Sequence, residues 1–316
     1  MKVTLVSTML NEERSIAAFL SSVRSQTRSP DQIVLVDGGS TDRTAEIVGE
    51  FIEQGMPVEL HILAGANRSR GRNHAVSVAE DPVIAMSDVG SVLQADWLEK
   101  IVAPFEADST VDVVAGYYRP TPRSLPEQAV AFALVPSSGE VDPSRFLPSG
   151  RSVAFRKEAF ERVGGYPEEQ SHNEDTPFAL ELRRIGARFF FEPGAIVLWQ
   201  PRANPFALFR QYARYALGDG QCGIWFPHYF KAYLALAFLL GVLAAILFSP
   251  FGWCFLIAGA ATYWLRYFSR SRRRGASWLA ALISPAAVLT VDAAHICGYS
   301  LGLVCRLGPC GRHKRP

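Results

Sequence analysis

Apolar and polar positions in the first hundred residues follow two periods in turn. Residues 2–8, KVTLVST, make a short apolar run that predicts a strand, and in NEERSIAAFLSSVRSQ the residues Ile16, Phe19, Leu20 and Val23 recur at helical spacing. Asn11 stands where it would cap that helix. Val34, Leu35 and Val36 predict a second strand covered on both faces, followed by a helix through Ile47, Val48, Phe51 and Ile52. Residues 57–63 predict a third strand with SRGRNHAVSVAE as a helix behind it; residues 82–86 predict a fourth, ahead of the helix ADWLEKIVAPF. Strands alternating with helices imply a parallel sheet with right-handed crossovers. Four loops then reach one sheet edge, at residues 8–12, 37–42, 64–72 and 87–91.

The loop after the second strand, DGGSTD, carries the first candidate chemistry. Gly38 and Gly39 permit a sharp turn, and Ser40, Thr41 and Asp42 are helix-capping residue types. Asp37 lies where open α/β sheets bind ligands, so it either meets a ligand or closes the turn. A dinucleotide-binding dehydrogenase needs G-x-G-x-x-G after its first strand, and here that place reads Thr8-Met9-Leu10-Asn11-Glu12. No G-x-x-x-x-G-K-[ST] loop occurs either, which removes the P-loop NTPases. What remains is a sheet edge with two carboxylates, Asp37 and Asp88, and a cationic loop holding Arg68, Arg70 and Arg72. Carboxylates suit a base and ribose hydroxyls, guanidinium groups suit a diphosphate, and together they outline a nucleotide-sugar site.

Composition changes the picture in the last third. The chain has 316 residues, 49% of them apolar, and a net charge of +2 that gives no reason to expect nucleic acid as a partner. All five cysteines fall at or after Cys222, with no CxxC pair and no zinc spacing, so they read as reduced and the preceding part as cytosolic. The apolar run at the N-terminus is too short for a signal peptide. From about residue 230 long apolar runs take over: residues 232–248 and 251–265 carry no charge, and Ser249 and Pro250 separate them. Trp225, Phe226, Tyr229, Phe230 and Tyr233 on one side, and Trp264, Tyr267 and Phe268 on the other, make aromatic belts. These runs predict two membrane crossings, after which RYFSRSRRRG returns the chain to the cytosol. Residues 276–305 are apolar but interrupted by Ser284-Pro285, Asp292 and His295. The expectation is a re-entrant or interfacial pair of short helices, with the basic tail GRHKRP on the catalytic side. Asp292 and His295 either serve a function at membrane depth or pair with each other.

The motifs STMLNEE, VDGGSTDRT, GANRSRGRN, MSDVGSVLQADWLEKI, LPSGRSVAFRKEAFERVGGYPE, NEDTPFALELRRIG and RQYARYALGDG stand in an order that resembles the family 2 glycosyltransferases of GT-A fold, from about residue 2 to residue 220. The resemblance implies an α/β fold, Rossmann-like, with a mostly parallel sheet and flanking helices. The expectation is a cytosolic catalytic domain at residues 1–228 followed by a helical membrane region at 229–316, anchored in the cell membrane. It implies an inverting enzyme that moves a single sugar from a nucleoside diphosphate sugar to a lipid-linked or amphipathic acceptor. Processive synthases place membrane helices before and after this domain, and none precedes it here. By the same resemblance Asp37 recognises the nucleobase, and Thr8, Glu12 and Arg72 line the nucleotide pocket. Of the pair Glu174 and Asp175 the second is the general base, and Gln211 and Arg214 of a QxxRW-like motif, with Tyr215 in place of tryptophan, lie beside acceptor and diphosphate.

Asp88 opens the family's DxD motif, which binds a divalent metal, Mg or Mn; Gly90 takes the second acidic place, so the motif reads D-x-G. The ion is then expected to be weakly held without donor, with metal and donor tightening each other. His74 and His172 have no companion ligands in sequence and read as ordinary polar residues. Two other readings are a sugar nucleotidyltransferase, which would release pyrophosphate, and a degenerate domain kept as a membrane scaffold.

Overall fold

The computed structural model describes residues 1–170, 172–248 and 251–307. In chain order the elements are β1 (Val3–Met9), α1 (Ile16–Arg24), β2 (Gln32–Asp37), α2 (Thr44–Glu53), β3 (Val58–Ile62), α3 (Arg68–Val78), β4 (Val83–Met86), β5 (Ser91–Leu93), α4 (Trp97–Ala107) and β6 (Val113–Pro120). Then come α5 (Leu125–Leu134), β7 (Val153–Arg156), α6 (Lys157–Arg162), α7 (Asp175–Arg184), β8 (Phe189–Trp199), α8 (Pro205–Cys222), α9 (Phe226–Phe248), α10 (Phe251–Arg273) and α11 (Trp278–Leu307). They form two compact units: residues 1–120 with 140–199, and residues 121–139 with 200–316.

The first unit is a mixed sheet in the order β3-β2-β1-β4-β7-β6-β8-β5. The four strands anticipated from sequence run parallel, β1 pairing with β2 and β4, and β2 with β3. Beyond them β7 lies antiparallel between β4 and β6, and β5 closes the far edge antiparallel to β8. Side chains alternate across the sheet as the two-residue period requires. Leu5, Leu35 and Ala85 face α1, α2 and α4 through Phe19, Val48 and Trp97. Val6, Val34, Val36 and Met86 face α3, α6 and α7 through Val76, Phe160 and Phe178. On α1 the stripe Ile16, Phe19, Leu20 and Val23 is buried as its spacing predicts.

Asn11 does not cap α1. It takes a positive φ of 55°, a conformation asparagine tolerates, and joins two loops at the sheet edge. Its N–H donates to Ser40 Oγ at 2.8 Å, and its Oδ1 accepts from Thr41 N at 2.9 Å.

The second unit is helical: α5 and α8 to α11. Among the described residues two segments are long and apolar enough to cross a membrane, Phe226–Ala244 and Trp278–Leu307. The first matches the run anticipated at 232–248. The run 251–265 opens α10, which is not one of these two segments. Residues 276–305 do not form a broken pair either, because α11 is one helix of 30 residues that passes straight through Ser284 and Pro285. Proline lacks one backbone donor, and a long helix held along its length by neighbours tolerates that loss. Ser284 Oγ donates back to the Ala280 carbonyl at 2.8 Å within the same turn. Gly298 and Gly302 of α11 sit so close to α8 that a Cβ on them would meet the carbonyls of Ala213 and Leu217 at 2.1 and 2.4 Å. Asp292 and His295 do not pair with each other. Asp292 accepts from the Tyr263 hydroxyl at 3.0 Å, whereas His295 lies among Tyr212, His228 and Tyr229. The tail GRHKRP lies outside the described residues.

Candidate functional site

The carboxyl ends of β2 and β4 deliver Asp37 and the loop after Met86 to one edge of the sheet, with the N-terminus of α3 beside them. Asp37 is buried, and its Oδ1 accepts from the N–H groups of Gly39 and Ser40 at 2.9 and 2.7 Å and from Ser40 Oγ at 2.8 Å. That turn needs glycine at Gly39, where φ is +97°. Glu12 is tied to α2 by its N–H, which donates to Thr44 Oγ1 at 2.7 Å, and its Oε2 accepts from Ser15 Oγ. Thr8 stands level with Val36 in the sheet, and α3 packs so closely on it that a Cβ on Gly71 would meet Thr8 Cγ2 at 2.9 Å.

At the centre of this edge is Arg72, only 2% exposed. Its Nη1 donates to Glu174 Oε1 at 2.7 Å and its Nη2 to Asp88 Oδ1 at 2.9 Å. The guanidinium carbon lies 5.1 Å from the centre of the Tyr166 ring. Arg68, one helical turn earlier, approaches the same Glu174 oxygen at 3.8 Å. Tyr166 is held by a two-way clamp: Asn73 Nδ2 donates to its carbonyl at 2.9 Å, and its N–H donates to Asn73 Oδ1 at 2.8 Å. Tyr166 lies in the GGYPE stretch of the motifs above, and nothing local to that stretch points to Arg72.

Electrostatics separate the two carboxylates that Arg72 joins. Enclosure disfavours the Asp88 charge, but Arg72, Arg68 and Arg151 outweigh it and hold the carboxyl below the ordinary aspartate range. Burial pushes Glu174 above the ordinary glutamate range, with Arg72 opposing and Asp175 adding to the push. Glu174 Oε2 is buried with no hydrogen-bond partner. The adjacent Asp175 opens α7 and is half-buried; its Oδ2 accepts the Gly150 N–H at 3.1 Å. Gly150 is required there, because a Cβ would meet Arg72 Nη2 at 2.1 Å.

Thr8, Glu12, Asp37, Arg72, Asp88, Glu174 and Asp175 thus all belong to the first unit, and Arg72 directly joins α3 to Asp88 and to Glu174. Gln211 and Arg214 belong to α8 in the second unit, where Gln211 Nε2 donates to the Tyr215 hydroxyl at 2.9 Å and Arg214 is exposed. His74 faces His61, with Nε2 and Nδ1 at 3.2 Å.

The donor set bears on the metal. Among the described residues no three histidine, cysteine, aspartate or glutamate side chains gather to hold an ion. Asp88 is the one acid of its motif, and one of its oxygens already accepts from Arg72. Gly90 is exposed with open space around it and has no side-chain oxygen to offer an ion. The residues present do not fit an ion held by this chain alone.

The glycosyl transferase family 2 pattern matches residues 4–164. The succinoglycan biosynthesis protein ExoA of Rhizobium meliloti is 30% identical over 223 residues, which cover 66% of this chain and 66% of that protein. The O-antigen chain rhamnosyltransferase RfbN of Salmonella typhimurium is 21% identical over 226 residues, 67% of this chain and 70% of that one. An uncharacterized glycosyltransferase of a Nostoc species is matched over 36% of each chain. This chain therefore spans about two thirds of the length of ExoA and about a third of that of the Nostoc protein. Among solved structures, a mannosyltransferase of Pyrobaculum calidifontis in complex with GDP-Man and Mn2+ superposes with a TM-score of 0.63 at 22% identity, covering 90% of this chain and 86% of that one. Staphylococcus aureus TarS (1–349) superposes with a TM-score of 0.52 at 16% identity, covering 97% and 91%. The fold is that of the GT-A neighbours, and the chain belongs to glycosyl transferase family 2.

Proposed function

We propose that this chain is an inverting glycosyltransferase that moves a sugar from a nucleoside diphosphate donor to a lipid-linked or other amphipathic acceptor at a membrane. The observation that carries the reading is the Arg72 junction. It gathers Asp88, at the end of β4, and Glu174, at the start of α7, into one edge and leaves Asp175 beside them. Displacing a nucleoside diphosphate from an anomeric carbon requires a base for the acceptor hydroxyl and cations for the leaving group. Asp175 is the base in this reading. Glu174 is less suited, because both its burial and its ion pair with Arg72 commit it to holding the arginine. The membrane acceptor is supported by the two apolar helical segments and by relatives named for succinoglycan and O-antigen assembly.

The direct test supplies the full chain in detergent with UDP- and GDP-sugars and a lipid-linked sugar acceptor, and follows the reaction by NMR. The expected outcome is release of nucleoside diphosphate with inversion at the anomeric carbon. Release of pyrophosphate, or retention, would overturn the reading. Asp37 gives a second expectation. One of its oxygens holds the turn, so Asp37→Ala removes both that tether and any bond to the base, and donor affinity should fall by ~1.5–3 kcal/mol. Calorimetry with UDP and GDP checks it; unchanged affinity for both would restrict Asp37 to the turn.

A further inference from the structure

We propose that one face of α10 is a docking surface for anionic phospholipid, where Arg266, Arg270 and Arg273 together meet the phosphate-bearing headgroups at the membrane surface. The inference rests on the membrane part of the reading above and adds to it the chemistry of the lipid. Positions 266, 270 and 273 are spaced four and then three apart, so one side of the helix carries all three. Arg266 and Arg273 are exposed and Arg270 is half-buried. The guanidinium carbons of Arg266 and Arg270 lie 5.8 and 5.2 Å from the centre of the Tyr267 ring, which orders them without neutralising them. Among the described residues none of the three forms an ion pair, and the sequence holds no aspartate or glutamate between positions 251 and 291.

The other two arginines of the cluster serve the fold. Arg272 donates to the Ala276 carbonyl and stacks on Trp278, and Arg274 donates to the Phe132 and Ala133 carbonyls of α5 at 3.2 Å. No such work falls to Arg266, Arg270 and Arg273. Like charges one turn apart repel, so three on one face with no acid nearby destabilise the helix until an anion lies over them. The helix dipole favours cations in the last turn, but Arg266 stands about two turns before the end of α10 at Arg273.

The neighbours of this face indicate which anion fits. Leu265, 62% exposed, precedes Arg266, and just beyond residues 274–277 Trp278, 68% exposed, opens the apolar segment Trp278–Leu307. Trp264 and Leu279 are exposed beside them. Phe268 of α10 packs on Trp278 with ring centroids 5.6 Å apart, so the cationic and apolar groups share one corner. Arginine and tryptophan gather in this way at the boundary between acyl chains and anionic headgroups. A nucleic acid or an acidic protein would satisfy the arginines and leave Leu265, Trp278 and Leu279 in water.

The test compares three full chains in detergent: wild type, the triple variant Arg266→Gln, Arg270→Gln, Arg273→Gln, and the triple variant Arg266→Lys, Arg270→Lys, Arg273→Lys. Each is titrated with phosphatidylglycerol and with phosphatidylcholine, and native mass spectrometry reads the affinity for each lipid. Wild type should hold phosphatidylglycerol about tenfold or more tightly than phosphatidylcholine, a preference that shrinks as salt rises. The glutamine variant should lose about 10–100-fold toward phosphatidylglycerol and stay within about twofold toward phosphatidylcholine. The phosphatidylcholine arm doubles as a check that the variant is folded. The lysine variant keeps the charge and should stay within about threefold of wild type for both lipids. Equal phosphatidylglycerol affinity in wild type and the glutamine variant would overturn the inference, and so would a parallel loss of both lipids, because purely structural arginines behave so. Displacement of phosphatidylglycerol by an equal concentration of glycerol 3-phosphate would overturn it too, by assigning the face to a soluble phosphate. A wild type that stays monodisperse without detergent and takes up neither lipid would instead defeat the membrane reading on which the inference rests.

Discussion

Arg72→Met is expected to be the most destabilising single change in the first unit, by about 3–5 kcal/mol. Methionine fills much of the same space, so the loss comes from charge and not from a cavity. Glu174 would remain buried with neither oxygen hydrogen-bonded and only Arg68 near it, at 3.8 Å, and Asp88 would lose the cation that its Oδ1 now accepts from. Burial already raises Glu174, and without Arg72 it should protonate in the folded state, which limits the cost to the range given. A thermal or chemical denaturation series on wild type, Arg72→Met, Glu174→Gln and the double variant measures the coupling. The double variant should recover a large part of the loss, because it removes both members of the buried pair. Strict additivity of the two single changes would mean that water reaches this pair and that it holds nothing together.

Asp175→Asn is expected to lower turnover by ~10²–10⁴ with donor affinity within about twofold. The change keeps the size of the side chain, and the amide oxygen can still accept the Gly150 N–H, so local geometry should survive. Only the capacity to take a proton is lost. Turnover under saturating donor, together with calorimetric donor affinity, separates this from a binding defect. Near-normal turnover would move the base to another acid. Glu174→Gln provides the contrast: it should reduce stability and donor binding through Arg72, so its defect should appear in KM and in melting as well as in kcat.

Much of this chain could be read locally. The apolar runs of β1, β2 and β4 and the helical spacing in α1 depend only on positions within one element, and the structure buries those runs on both faces of the sheet and that stripe of the helix. The turn at Asp37 was equally legible, since two glycines after a buried strand leave the chain little choice. Local signals misled where a neighbour from elsewhere supplied a different partner. Asn11 looks like a cap until Thr41, 30 residues away, offers its N–H. Pro285 looks like a break until α11 is held along α8 by the close approach of Gly298 and Gly302.

By itself the sequence determined the strand-and-helix alternation, the buried stripes, the family's motifs and the apolar segments, because each depends on the spacing of residues within one element. Only the tertiary structure decided that β7 runs antiparallel between β4 and β6, that Arg72 reaches Glu174 across 102 residues, and that Arg151 lies between Tyr118 and Trp199. Spacing sets which way a side chain points. Which charge, ring or strand it meets there depends on segments brought together by the closing of the sheet and the packing of its helices, and no local pattern carries that information.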